Sequence, residues 1–161
     1  MAFTEFERLS PNHGPETHER LGVLFHHSQM GFEKTITRML DPASQVSYHC
    51  LIAGDGTRCT LVPDSKVAWH AGKSEFLGRS RCNDFMLGLA FAGDTYQSPI
   101  TESQMDSVLE WLGSRWVPLS LSLDRLSDHR QVAQGRKRDL NPPQWDRLIR
   151  TVAARFGAPA P

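Results

Sequence analysis

Two short apolar runs constrain this chain more than anything else in it. One is Leu21 to Phe25, which ends on a His-His pair, and the other is Phe85 to Ala92, the most apolar segment of the sequence. Runs of that length without polar alternation read as buried strands, covered on both faces, and the second is expected to be central. Helical spacing appears beside them. Phe32, Ile36, Met39 and Leu40 share one face of a helix that Asp41-Pro42 ends. Val46 to Ala53 and Thr57 to Val62 flank the turn Gly54-Asp55-Gly56 and read as a hairpin, with Val67 to His70 as a further short strand.

Thr101 with Gln104 three residues on is a capping box for a helix carrying Met105, Val108, Leu109 and Leu112 on one face. Leu126 to His129 reads as a last strand, followed by a polar loop, Gln131 to Asn141. Pro142-Pro143 then opens a helix with Trp145, Leu148, Ile149, Val152 and Phe156 inward and Gly157 as its stop. This order predicts one α/β domain over residues 21–157, a central mixed β-sheet flanked by helices. Residues 1–20, polar and interrupted by Pro11 and Pro15, are expected to form an arm, and Ala158 to Pro161 a frayed tail.

Composition narrows the function. The 161 residues suit a single domain, which at this size buries roughly 70% of its unfolded surface without a disulfide scaffold. Eighteen basic residues balance eighteen acidic ones, which removes the global charge that drives nucleic-acid binding. No phosphate loop is present either. Three cysteines, Cys50, Cys59 and Cys82, form no CxxC pair, against a thiolate zinc ribbon. With no apolar leader and no run long enough to span a bilayer, a cytoplasmic monomer without membrane insertion is expected.

Seven histidines are about twice ordinary usage, and their placement carries the chemistry. His26 closes the first strand, His129 closes the last, and Asp139 follows ten residues later. Strand ends deliver side chains to one rim of a sheet, and two imidazoles with one carboxylate leave a fourth position open, as a catalytic zinc requires. By spacing alone this signal is weak. Lys137, two residues before Asp139, is placed to neutralise an oxyanion, while Arg136 and Arg138 read as a solvated basic loop. Tyr48 reads from its surroundings as an amphipathic strand residue that could also face the same rim.

The motifs taken together add a resemblance. Phe25-His26-His27-Ser28, Ser47-Tyr48-His49-Cys50-Leu51-Ile52 with Asp55-Gly56-Thr57, Trp69-His70-Ala71-Gly72, Arg81-Cys82-Asn83-Asp84, and Asp128-His129-Arg130 with Gly135-Arg136-Lys137-Arg138-Asp139 resemble the zinc-dependent N-acetylmuramoyl-L-alanine amidases. That family, amidase-2, includes phage lysozyme-type amidases and peptidoglycan recognition proteins, and the likeness runs from about Leu21 to Trp145. The Trp-His-Ala-Gly and Arg-Cys-Asn-Asp stretches look most like its anhydromuropeptide-recycling branch.

The resemblance implies one zinc ion on His26, His129 and Asp139, with Lys137 and Tyr48 as catalytic residues. It further implies His27 as a neighbour in the cleft, Trp69 and His70 on the substrate wall, and Arg81 for the stem peptide's carboxylates. The activity it implies is hydrolysis of the amide between N-acetylmuramic acid, or its anhydro form, and L-alanine. One position departs from the recycling branch: Ala90 stands where a catalytic glutamate is expected, so Tyr48 inherits the supporting role. The departure also motivates a second expectation, a muropeptide-binding module that does not cut. His13 and His18 are expected to be exposed, His49 packed, and Cys82 accessible.

Overall fold

A computed structural model of the chain describes residues 3–17 and 19–157; His18 and the 158–161 tail lie outside the described residues. The strands are β1 (Glu5–Glu7), β2 (His13–Glu16), β3 (Gly22–His27), β4 (Cys50–Ile52), β5 (Arg58–Thr60), β6 (Lys66–Ala68), β7 (Glu75–Phe76), β8 (Arg79–Ser80), β9 (Met86–Phe91) and β10 (Leu126–Asp128). The helices are α1 (Phe32–Leu40), α2 (Glu102–Trp116), the short α3 (His129–Val132) and α4 (Pro142–Phe156). A six-stranded mixed sheet in the order β1-β5-β4-β9-β3-β10 forms the centre, and β2-β6 and β7-β8 are separate two-stranded ribbons.

The two apolar runs are the middle of that sheet. β3 and β9 pair in parallel along their whole length, with His26 opposite Ala90 and Leu24 opposite Gly88. All twelve of their residues are buried, which explains why the sequence shows no alternation there. β10 joins the outer side of β3 in parallel, setting Asp128 opposite Phe25.

Side chains still alternate between the two faces. Val23, Phe25, Leu87, Leu89 and Phe91 pack with Val108, Trp111 and Leu112 of α2 and Leu148 and Val152 of α4. Each fully buried side chain of this size contributes about 1.5–3 kcal/mol. The opposite face carries Leu51 and Ala90 against Ile36 and Met39 of α1. His26, two residues from Leu24 and in register with Ala90, falls on this second face, at the carboxyl ends of parallel strands. The capping box of Thr101 and Gln104 forms as the sequence implies, and Gly157, at φ 83°, ends α4.

Three expectations are corrected. The polar arm is woven into the domain: β1 lies parallel to β5 at the sheet edge and β2 pairs antiparallel with β6. His13 is accordingly half-buried, its ring nitrogen on the Gly14 carbonyl at 2.9 Å. Cys82 is fully buried rather than accessible, in a cluster with Leu24, Phe85 and Met86.

His49 is packed, as expected, and its bonds fix its tautomer. The Gly88 N–H donates to its Nδ1 at 2.9 Å, and its Nε2–H donates to the Lys66 carbonyl at 2.7 Å. Burial pushes its pKa down to about 4, below the 6.5 of an unfolded histidine. The folded state therefore binds fewer protons than the unfolded one between those values. The stability held by neutral His49 is present above pH 6.5 and is lost as pH falls toward 4. Unfolding free energy of the metal-free protein is expected to drop by about 2 kcal/mol on this account between about pH 7.5 and 5. Urea titrations at the two pH values check this, since His49→Gln should flatten the slope by that amount; an unchanged slope places the acid sensitivity elsewhere.

Candidate metal centre

His26, His129 and Asp139 converge where β3 and β10 end. His26 Nδ1 lies 3.0 Å from His129 Nδ1, and Asp139 sets one oxygen 3.5 Å from the former and the other 3.4 Å from the latter. Local structure explains the meeting. β10 delivers His129 as the first residue of α3, and the loop after α3 returns so that the Arg130 N–H donates to the Asp139 carbonyl at 2.6 Å. The His27 N–H donates to Asp139 Oδ2 at 3.3 Å.

The hydrogen bonds around the two rings decide what fits between them. A carbonyl only accepts, so His129 Nε2, 2.9 Å from the Ala71 carbonyl, carries a hydrogen. By the same reasoning His70 Nε2, 3.0 Å from the Met86 carbonyl, carries one. His70 Nδ1 is then an acceptor and takes the His26 Nε2–H at 2.9 Å. With Nε2 committed on each ring, the neutral form of His26 or His129 presents Nδ1 as an acceptor toward the other ring and the carboxylate. Burial pushes the His26 pKa down to about 4, against the pull of Asp139, and so keeps that ring neutral.

An aspartate is ordinarily ionised at neutral pH, so Asp139 brings an anionic carboxylate up to both nitrogens. With both rings in that form three acceptors meet at one point, a set that could hold a metal ion. Tetrahedral zinc with bonds of about 2.0–2.2 Å spaces its ligands about 3.3 Å apart, close to the separations here. These three are the group of metal-competent side chains found among the described residues.

The centre forms the floor of a cleft of about 500 Å³. Tyr48 lines it with its ring centroid 5.2 Å from that of His26, and burial raises its phenol pKa, with Asp139 adding to the effect. Lys137 and Trp69 line the walls. His27 also lines it; its Nδ1 accepts from the Thr95 N–H at 3.1 Å.

His70 lines the cleft, and both of its ring nitrogens are engaged, one with His26 and one with the Met86 carbonyl, so it also orients the His26 ring. Gly88 makes room for it: a Cβ there would lie 2.4 Å from His70 Cγ. Arg81 is not brought to the cleft. Its side chain is 80% exposed and pairs with Asp84 at 3.2 Å. The Arg-Cys-Asn-Asp motif serves through Asn83 instead, whose Oδ1 accepts the His70 and Ala71 N–H groups at 3.0 and 2.8 Å.

The basic loop is anchored, not merely solvated. Arg136 donates to the Ala71 and Lys73 carbonyls, each at 2.7 Å, and Arg138 stacks 4.2 Å over the Tyr96 ring. Sequence reasoning missed Arg38 of α1, which lines the same cleft as Lys137. It also missed Thr95 and Asp128, whose polar atoms meet the site only after the chain has folded back on itself.

Residues 17–145 match the family model described as N-acetylmuramoyl-L-alanine amidase. A 1,6-anhydro-N-acetylmuramyl-L-alanine amidase, AmpD, of Salmonella typhimurium is 36% identical over 110 residues, 68% of this chain. The aligned part spans 58% of that relative's length. A crystal structure of a selenomethionine AmpD derivative superposes with a TM-score of 0.79 at 26% identity, covering 94% of this chain and 96% of that one. The Escherichia coli amidase AmiD, solved in complex with the substrate anhydro-N-acetylmuramic acid-L-Ala-D-gamma-Glu-L-Lys, shares the fold with a TM-score of 0.73. It is 21% identical, covering 86% of this chain and 59% of that chain.

Proposed function

The chain belongs to the N-acetylmuramoyl-L-alanine amidase family, and on that premise we propose that it is a zinc amidase cutting the bond between N-acetylmuramic acid, or its anhydro form, and L-alanine. The observation that carries this reading is the meeting of His26 Nδ1, His129 Nδ1 and the Asp139 carboxylate in an open cleft. One zinc ion held by His26, His129 and Asp139 would supply Lewis acidity at the amide carbonyl and make water nucleophilic at neutral pH.

The chain's own residues do the rest. Lys137 brings a positive charge to the carbonyl oxygen as it becomes an oxyanion. Tyr48, its phenol kept protonated by burial, donates a hydrogen bond to the tetrahedral intermediate. Trp69 offers a flat apolar wall to the sugar or peptide, and the cationic rim suits an anionic stem peptide. Water adds across the amide carbon, the C–N bond breaks, and the L-alanine amine leaves with a proton, so a lactyl carboxylate and a free stem peptide result. The names of the relatives favour an anhydromuropeptide as the substrate. Among the described residues no helix is long and apolar enough to cross a membrane.

A muropeptide-binding module that does not cut is the second reading. Its motive is Ala90, which packs among Leu51, Cys59 and Leu61 at the position where the recycling branch is expected to carry a glutamate. The converging ligand set and Lys137 favour the enzyme, because binding alone needs neither.

Mass spectrometry of a defined anhydromuropeptide incubated with the full chain separates the two readings. Release of free stem peptide that stops with a chelator and returns with zinc is the expected result. Substrate retained intact by a zinc-loaded protein overturns the amidase reading and leaves the binding module.

A further inference from the structure

Asp128 has no place in the chemistry above, yet it is fully buried. It sits at the last position of β10 as the cap of α3, and Oδ1 accepts the Gln131 N–H at 3.1 Å. A cap needs one acceptor, which a serine or asparagine supplies without sinking a carboxylate into the interior. The second oxygen shows what the carboxylate adds. Oδ2 accepts the Leu140 N–H at 3.0 Å and lies 3.3 Å from the Arg130 guanidinium.

His129 and Asp139 are each the immediate chain neighbour of a group that this one side chain holds. Arg130 closes the ring from the other side, donating its N–H to the Asp139 carbonyl at 2.6 Å. The two candidate ligands, ten residues apart, thus lie in a loop whose ends one buried carboxylate ties together.

We infer that Asp128 is a positioning residue for the metal centre, fixing His129 and Asp139 relative to each other through paired bonds to the Gln131 and Leu140 N–H groups. It touches neither substrate nor metal. The inference rests on the zinc reading above. Outer partners of this kind set ligand orientation, and their loss typically lowers metal affinity by roughly 10–100-fold.

Two variants test it. Asp128→Asn keeps the volume but turns an amide N–H₂ or a single acceptor toward two sites that both need acceptors. Asp128→Ser keeps a capping oxygen for α3 and cannot reach Leu140. Zinc affinity of the full chain is measured by competition with a chromophoric chelator. The visible spectrum of the Co²⁺-loaded protein reports ligand geometry, and thermal melting of the metal-free protein reports the fold.

The expected result is a zinc affinity roughly 10–100-fold weaker in both variants, with a changed Co²⁺ spectrum, in proteins that still melt cooperatively. Where the Asn variant does not fold, the Ser variant decides. Wild-type affinity and an unchanged spectrum in the folded Ser variant overturn the inference, even if its melting point falls, because a merely structural role lowers stability alone. A wild-type chain that takes up no zinc ends the amidase reading and this inference together; wild-type uptake with unaltered variants ends only the inference.

Discussion

Asp139→Ala is expected to lose zinc and turnover together, by more than the roughly 100-fold that loss of an outer partner costs. Asp139 is the anionic member of the set, an aspartate being ordinarily ionised at neutral pH. Removing it leaves two imidazoles with their Nδ1 atoms 3.0 Å apart and no carboxylate in the set to hold a dication with them. The same loss should appear in stability. Free zinc at about 100 times its dissociation constant stabilises a native protein that binds it by about 2.7 kcal/mol. Zinc should therefore raise the melting temperature of the wild type and leave that of Asp139→Ala where it was. Elemental analysis, melting with and without zinc, and stem-peptide release check the three parts. A variant that keeps full activity without its metal refutes the proposed centre.

The difference between what residues announce and what folding adds is clear at the two adjacent histidines. Once Leu21 to Phe25 is taken as a strand, alternation requires His26 and His27 to point to opposite faces. Which of them meets His129 follows from register; strand-end placement pointed only weakly to His26, and the family resemblance strengthened that reading. The helices were legible because their signals are local: the Thr101 capping box, the Asp41-Pro42 stop and Gly157 act within a turn or two. β1 and β2 were not, since strands of three and four residues beside Pro11 and Pro15 gain their pairing from β5 and β6, far along the chain. Arg81 misled for a related reason. Its motif looked like ligand chemistry, but the residue that matters there is Asn83, which holds two backbone N–H groups of the loop carrying His70. Asp128 read as a strand residue because its partners, Gln131 and Leu140, meet it only when the last loop closes.

Lys137→Ala is expected to keep its zinc and lose about 10²-fold or more in kcat, the scale of a missing oxyanion stabiliser. The local backbone is built to present this side chain. Gly135 takes φ 78°, and the Ala133 carbonyl accepts the N–H groups of both Arg136 and Lys137 at 3.0 Å, which folds the loop into a tight turn. The flanking cations are engaged with the protein itself, Arg136 on the Ala71 and Lys73 carbonyls and Arg138 on the Tyr96 ring. Lys137 lies between them and lines the cleft, as Arg38 of α1 does, and on the proposed reading it is the cation that meets the carbonyl oxygen. An ammonium that meets charge only as the carbonyl oxygen becomes anionic stabilises the transition state more than the bound substrate. Its loss should thus appear in kcat, with KM little changed. The opposite pattern, a raised KM at unchanged kcat, would assign Lys137 to the stem peptide's carboxylates and leave the oxyanion to the metal and Tyr48. Lys137→Arg discriminates further: it keeps the charge but spreads it over a planar fork, so partial recovery of kcat marks charge at the oxyanion as the quantity that counts.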